Sequence, residues 1–543
     1  MKKQIKNLLL QSLCVLSGIA MTAPSATAAE EILLNFGPFQ FALSVASLRT
    51  YAEEGKITGN LADYARFLSE EQLATLRKSL NTKADIEPLP ISQFFYSYQG
   101  IKILERVGDI IESKAGQSGF HALRSALILS AASEEGLTPI NFLETIPLKS
   151  VIIDSQQGFA IIDELSEIIQ INQKAIATIE ETAIVEAIQE DKTYPQGINP
   201  QGSISYSVES LKLLDRKRDR RLPVDLYIPQ TRTVTKLPLI VISHGLGSDR
   251  TSFAYFAQFL ASYGFAVAVP EHPGSNASQI QSLLEGFDND VTPPEEFINR
   301  PLDISFIIDR LEAQYGNKID TENVGIIGQS FGAYTALAVA GAELDFANLT
   351  QVCQNIDKSF NVSLFLQCLA LELPPEEIRT DFRDERITSA IAINPLTSGV
   401  FGEAGMSQIP IPTMLISGSA DAVTPALPEQ IVPFTWLDSP NRYLVLVKGG
   451  THFSALSESA GSIPVPPAAI GPDPKIGQMY IRQLGLLFFS DRYDGIVPAF
   501  GRLSPSYAAS ISQVEMPLSL ISELDRTKLE LLSSKKKRAA NRS

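Results

Sequence analysis

The stretch NVGIIGQSFGAYTALAVAGA, residues 323–342, decides how the chain is read. Residues 324–327 are apolar apart from Gly325, the pattern of a short buried strand. Residues 334–342 are alanine-rich and mostly apolar, as in a helix packed on nearly every side. Ser330 stands between them, flanked by Gly328 and Gly332. A serine at a strand-to-helix corner with glycine two residues away on each side fits the G-x-S-x-G pattern. The glycines let strand and helix approach, and the corner lifts the hydroxyl above the sheet.

Working outward, apolar runs alternate with helical stretches. LPLIVIS (237–243), FAVAVP (265–270), ITSAIAI (387–393), IPTMLIS (411–417) and RYLVLV (442–447) read as buried strands. TSFAYFAQFLASYG (251–264) and PLDISFIIDRLEAQYG (301–316) read as helices between them. Before them, ISYSVESLKLLD (204–215) and RLPVDLYIP (221–229) alternate like an antiparallel pair. Strands alternating with helices predict a mostly parallel sheet covered on both faces. Such sheets place their sites at the carboxyl ends of the strands. Four polar residues fall just after strands: His244, Ser330, Asp421 and His452.

A serine hydroxyl needs a base, and the base needs an orienting carboxylate. In this fold the chain order is Ser, then Asp or Glu, then His. His452 is the one histidine after Ser330. Asp421, in MLISGSADAVTP, fits the acid better than Asp381, Asp384 or Asp438; its alternative role is a cap for the helix after Pro425. An oxyanion needs two backbone N–H donors. Phe331 is expected to give one, and Leu246, in the loop SHGLG (243–247), the other. His244 precedes the serine and is expected to shape that loop, with a role as base the alternative. His272, in VPEHPGSN, is placed at the rim of the site, with a structural loop role ahead of substrate contact. His121 reads as an ordinary helix residue.

From about residue 29 to 190 apolar residues recur at helical spacing, predicting an all-helical domain. DKTYPQGINPQGS (191–203) reads as a linker. Residues 204–500 form the catalytic domain, with an insertion at about 343–385 that would cover the site as a lid, and 501–543 a tail. The apolar stretch FNVSLFLQCLALELP within the insertion would line an acyl pocket or pack onto the body. At the start, Lys2, Lys3 and Lys6 precede an apolar run and Ala26-Thr27-Ala28, the features of a secretory signal over 1–28; an uncleaved anchor is the alternative. Cys14 leaves with that signal, and Cys353 and Cys368 are then a candidate disulfide in an oxidising compartment.

The 543 residues are 44% hydrophobic and 20% charged, the proportions of a globular protein. The net charge of −16 falls to −19 without residues 1–28, with 42 basic residues against 61 acidic. That balance excludes nucleic acid as a partner and disfavours attraction to anionic lipid. The basic run 535–538 reads as a solvated tail, with membrane-surface contact the alternative. No cysteine–histidine cluster suggests a metal site, and no cofactor is expected.

Together, SHGLGSDRTSF, AVAVPEHPGS, NRPLDISFIIDRL, IGQSFGAYTAL and GGTHFSAL resemble the α/β-hydrolase superfamily. Within it they are similar to platelet-activating-factor acetylhydrolases and dienelactone-hydrolase-like esterases. The resemblance implies an α/β-hydrolase fold and a serine esterase acting on short or truncated acyl esters, phospholipids among them, without a metal ion. Two departures stand out. Dienelactone hydrolases use cysteine where this chain has Ser330. The acetylhydrolases place their acid one strand earlier, where this chain reads Asn394-Pro395 and leaves the role to Asp421. The N-terminal region resembles a domain of unknown function that precedes such hydrolases in cyanobacteria. The competing functions are a serine exopeptidase with the same three residues, and a binding protein whose helical domain does the work. The oligomeric state is open.

Overall fold

A computed structural model describes residues 29–529, apart from 37–38, 85–87, 191–197, 199–200, 232–235, 357–358, 458–469 and 494–501. The expected signal (1–28), most of the linker and the basic run 535–538 lie outside the described residues. The chain divides into two compact units, Met1–Ile162 and Asp163–Ser543.

The first unit corrects the all-helical expectation. Its opening stretches form β1 (Glu31–Phe36) and β2 (Phe39–Ser44), and later runs form β3 (Ile111–Ser113) and β4 (Ser150–Asp154). They make a four-stranded sheet in the order β2-β1-β4-β3. The strands are three to six residues long, too short for periodicity to separate them from helix turns. The longer helical stretches do form helices: α1 (Val45–Glu54), α2 (Glu70–Leu80) and α3 (Phe120–Ala132). Ser69 starts α2 with a capping box, its hydroxyl accepting from Gln72 N and the Gln72 side chain accepting from Ser69 N. His121 lies exposed on α3. The division between the units falls inside the 36-residue α4 (Ser155–Glu190), not at the proline-rich stretch. Ala175, Ile179 and Ala183 of its second half are buried in the core of the second unit.

The second unit is built on a nine-stranded sheet. Its strands are β5 (Tyr206–Asp215), β6 (Arg220–Pro229), β7 (Leu237–Ser243), β8 (Ala266–Pro270), β9 (Ile319–Gln329), β10 (Ile387–Ile393), β11 (Thr413–Gly418), β12 (Arg442–Val447) and β13 (Leu518–Ile521). They lie in the order β13-β12-β11-β10-β9-β7-β8-β6-β5. β8, β7, β9, β10, β11 and β12 are mutually parallel, while β5, β6 and β13 run antiparallel to their neighbours. Residues 501–543 are therefore not simply a tail. Residues 518–521 complete the sheet beside β12, a four-residue antiparallel edge with too little apolar pattern to announce itself.

Every residue of β7 is buried, because helices cover both faces. Leu239, Val241 and Ile326 pack on one side with α6 (Glu296–Tyr315) and α7 (Phe331–Ala340). Ile240, Ile242 and Ile327 pack on the other with α5 (Ala254–Ser262) and α9 (Pro474–Ser490). Within α6, Pro301 has no N–H to offer the carbonyl four residues back. That carbonyl, on Phe297, instead accepts from the Tyr334 hydroxyl of α7 at 2.6 Å, which fastens the two helices.

The insertion packs onto the body. It holds α8 (Phe346–Cys353), and Leu349, Leu369, Ala370, Leu373 and Phe382 join the main core. A disulfide joins Cys353 and Cys368. The fully buried Glu429 carboxylate fastens the insertion from below. It accepts from Ser363 Oγ (2.8 Å), Gln367 Nε2 (2.9 Å), Asn361 Nδ2, and the N–H groups of Thr397 (2.6 Å) and Ser398 (2.9 Å). Donors from both segments thus satisfy its buried oxygens.

Candidate active site

The corner at Ser330 is as tight as its glycines predict. A Cβ on Gly328 would lie 1.9 Å from Gly332 O, and one on Gly332 would lie 2.1 Å from Ser243 O. Neither position admits a side chain. Ser330 itself has φ 56° and ψ −119°, a region that costs a non-glycine residue about 1–3 kcal/mol. Its N–H donates to Ile393 O at 2.9 Å, and its carbonyl accepts from the N–H groups of Ala333 and Tyr334. The strained residue is held from both sides.

Asp421 and His452 meet. His452 Nδ1 donates to Asp421 Oδ2 at 2.7 Å, which leaves Nε2 as the acceptor nitrogen. Asp421 Oδ2 also accepts from Thr424 Oγ1 at 2.8 Å, and Oδ1 accepts from the N–H groups of Val423 and Thr424. Oδ1 thus closes a local turn over residues 421–424, while the helix after Pro425, with Ala426 at its N-cap, takes no side-chain cap from Asp421. The loops carrying the pair are joined by Ala420 N donating to Gly450 O at 2.8 Å. The histidine loop also reaches the serine strand, where Gln329 Nε2 donates to His452 O at 3.3 Å. Ser330, Asp421 and His452 are each 6% exposed. Asp381 caps Arg383 N, Asp384 pairs with Arg386, and Asp438 is exposed.

Asn394 closes β10, the strand end where an acid was absent from the sequence. It has φ 47°. Its Oδ1 accepts from Gly418 N at 3.0 Å and its Nδ2 donates to Thr451 O at 3.4 Å, linking the acid and histidine loops.

The loop after β7 lies against the serine. A Cβ on Gly245 would stand 3.3 Å from Ser330 Cβ, so the following Leu246 passes close to the corner. Phe331 occupies the first turn of α7, where a backbone N–H has no carbonyl of its own helix to bind. His244 is fully buried, with Nδ1 bonded to Gly245 O (2.7 Å) and Nε2 accepting from His272 N (3.0 Å). Burial first, and the Arg300 charge second, push its pKa well down. With both nitrogens engaged it shapes the loop.

His272 is not at the rim. It is fully buried, with Nδ1 donating to Asp303 Oδ2 and Nε2 accepting from Ser243 Oγ, both at 3.0 Å. Burial, then Arg300, bring its pKa down to about 4. Asp303 in turn binds Arg220, which also binds Glu296 at 2.6 Å. The sequence reading missed this network. Its one trace was Asp303, a charge set among Leu302, Ile304, Phe306 and Ile307 in the middle of α6.

Among the described residues no group of histidine, cysteine and acidic side chains could hold a metal ion, and no helix is long and apolar enough to cross a membrane. A family model described as platelet-activating factor acetylhydrolase, isoform II, matches residues 218–300. Another, described as an α/β hydrolase of unknown function (DUF1400), matches residues 28–154. The platelet-activating factor acetylhydrolase of Canis lupus familiaris is 30% identical over 156 residues, covering 21% of this chain and 34% of that protein. The protein of the same description from Bos taurus is 27% identical with the same coverage. The chain thus spans about a third of the length of these curated relatives. By its sheet and by these matches, the chain has the α/β-hydrolase fold and is similar to the platelet-activating factor acetylhydrolases.

Proposed function

We propose that the protein is a serine esterase acting on short-acyl or phospholipid-type esters. The observation that carries this reading is the Asp421–His452 hydrogen bond of 2.7 Å, in a loop tied to the strand that presents Ser330. Ser330 Oγ attacks the acyl carbon while His452 Nε2 takes its proton, and Asp421 stabilises the imidazolium. The Leu246 and Phe331 N–H groups receive the oxyanion. The tetrahedral adduct collapses to an acyl-enzyme, with His452 returning the proton to the departing alcohol. Water, activated by the same histidine, then releases the acid. The likeness to acetylhydrolases supports an ester of a lipid alcohol with a short acyl group. The disulfide and the leader-like residues 1–28 support export to an oxidising compartment.

The test is hydrolysis of p-nitrophenyl esters from acetate to palmitate by the protein and by Ser330→Ala. Turnover of short esters that the variant loses supports the reading, and the chain-length profile gives the depth of the acyl pocket. Equal rates for both proteins would remove Ser330 as the nucleophile.

A further inference from the structure

Arg300 is fully buried in α6, yet among the described residues none of its hydrogen bonds goes to a carboxylate. Buried arginines ordinarily pair with acids. Here Arg220 already takes Glu296 and Asp303, and the Arg300 fork is directed elsewhere. Its Nη2 donates to His244 O and, at 3.2 Å, to Ser243 Oγ. Its Nη1 donates to Ser275 Oγ at 2.7 Å. Its Nε donates to Thr335 Oγ1 at 3.0 Å, and Thr335 Oγ1 donates onward to Phe331 O at 2.9 Å. The guanidinium carbon also lies 4.7 Å from the centre of the Phe331 ring.

One side chain therefore grips both elements assigned to the oxyanion. The His244 carbonyl belongs to the peptide just ahead of Gly245 and Leu246, so fixing it fixes how that loop enters the site. The ring contact and the Thr335 relay fix Phe331 at the start of α7. We infer that Arg300 is the positioning residue of the oxyanion hole, holding the Leu246 and Phe331 N–H groups at one spacing. This inference rests on the esterase reading. Burial lowers the arginine's pKa to about 10, still above neutrality, so the cation also adds a fixed positive potential behind the two donors. The role predicts loss of transition-state stabilisation with little effect on substrate binding.

The experiment compares wild type, Arg300→Lys and Thr335→Val with p-nitrophenyl acetate over pH. It adds the rate of inactivation by diethyl p-nitrophenyl phosphate, whose phosphoryl oxygen takes the oxyanion position. In folded Arg300→Lys, kcat is expected to fall about 100-fold, the scale of one lost oxyanion donor. KM should stay within about threefold, as expected where an interaction made only in the transition state is lost. The inactivation rate should fall with kcat, and the acidic limb of the pH profile, set by the histidine that must be neutral to act as base, should not move, since the Asp421–His452 pair is untouched. Thr335→Val should show the same pattern about fivefold in size, since it removes the relay and keeps the arginine. If Arg300→Lys does not fold, Thr335→Val decides by the same readouts. A lower melting temperature with kcat unchanged in the folded variants overturns the inference while the esterase reading stands. A wild type inert toward every ester removes both.

Discussion

Two serine–histidine–aspartate sets stand in the same domain, their serines at the ends of the neighbouring strands β7 and β9. One is Ser330 with His452 and Asp421; the other is Ser243, His272 and Asp303. The second has the connected geometry, with 3.0 Å from hydroxyl to Nε2 and 3.0 Å from Nδ1 to carboxylate. Yet all three of its members are 0% exposed, against 6% for each member of the first. Ser243 ends a regular strand and also accepts from Arg300, whereas Ser330 is turned out of its strand at φ 56°. The same side chains thus serve as a structural rivet in one place and as a candidate reaction centre in the other. Access and backbone posture separate them, not the identity of the groups.

Substitutions matched across the two sets break or sharpen the contrast. The largest expected effect is that of Ser330→Ala, which should lower kcat by about 10⁴–10⁶, whereas Ser243→Ala should keep it within about tenfold. Steady-state ester hydrolysis reads both. Next, Asp421→Asn should cost about 10⁴ in kcat by removing the acceptor that fixes the His452 tautomer. Asp303→Asn should instead cost about 3–5 kcal/mol of stability by removing the buried carboxylate that partners half-buried Arg220, measured by urea unfolding. A variant Asp303→Asn as stable as wild type would mean the buried network is not a rivet.

The third test is pH. His272 titrates at about 4 in the fold against 6.5 as a free imidazole. Between those values the unfolded chain binds more protons, so acidification destabilises the fold, by about 3 kcal/mol across the window from this group. His244 acts in the same direction, while Glu296, its pKa raised by burial, opposes it. The difference between wild type and His272→Gln isolates the His272 share: the variant's stability should depend less steeply on pH between 6.5 and about 4. The smallest effect lies outside both sets. Ser69→Ala should destabilise α2 by about 1 kcal/mol, visible in amide exchange, and leave ester hydrolysis unchanged.

The strand ends were legible because their cues are local. A buried run followed by a glycine-flanked serine, or by a loop aspartate or histidine, is a pattern of a few residues, and the structure places Asp421 against His452 as that pattern implies. Readings that required knowing what packs beside a residue went astray. His272 follows a strand just as His244 and His452 do, and only the position of α6, which brings Asp303 over it, makes it interior. Arg300 and Glu429 gave no sign of their roles, since their partners come from segments 25–68 residues away. The short strands of the first unit fell below the length at which period two and period 3.6 can be told apart.

The ninth strand has a consequence for biosynthesis. β12, which leads into the His452 loop, gains its outer partner only from residues 518–521, and Lys448 N, one residue past β12, donates to Pro517 O at 2.8 Å. A chain made from its amino end must therefore carry a bare sheet edge until this late segment leaves the ribosome. Ser330 is translated almost two hundred residues before that edge is sealed. The hydroxyl is in place early, and the loop that would activate it takes its final form only after residues 518–521 have been made.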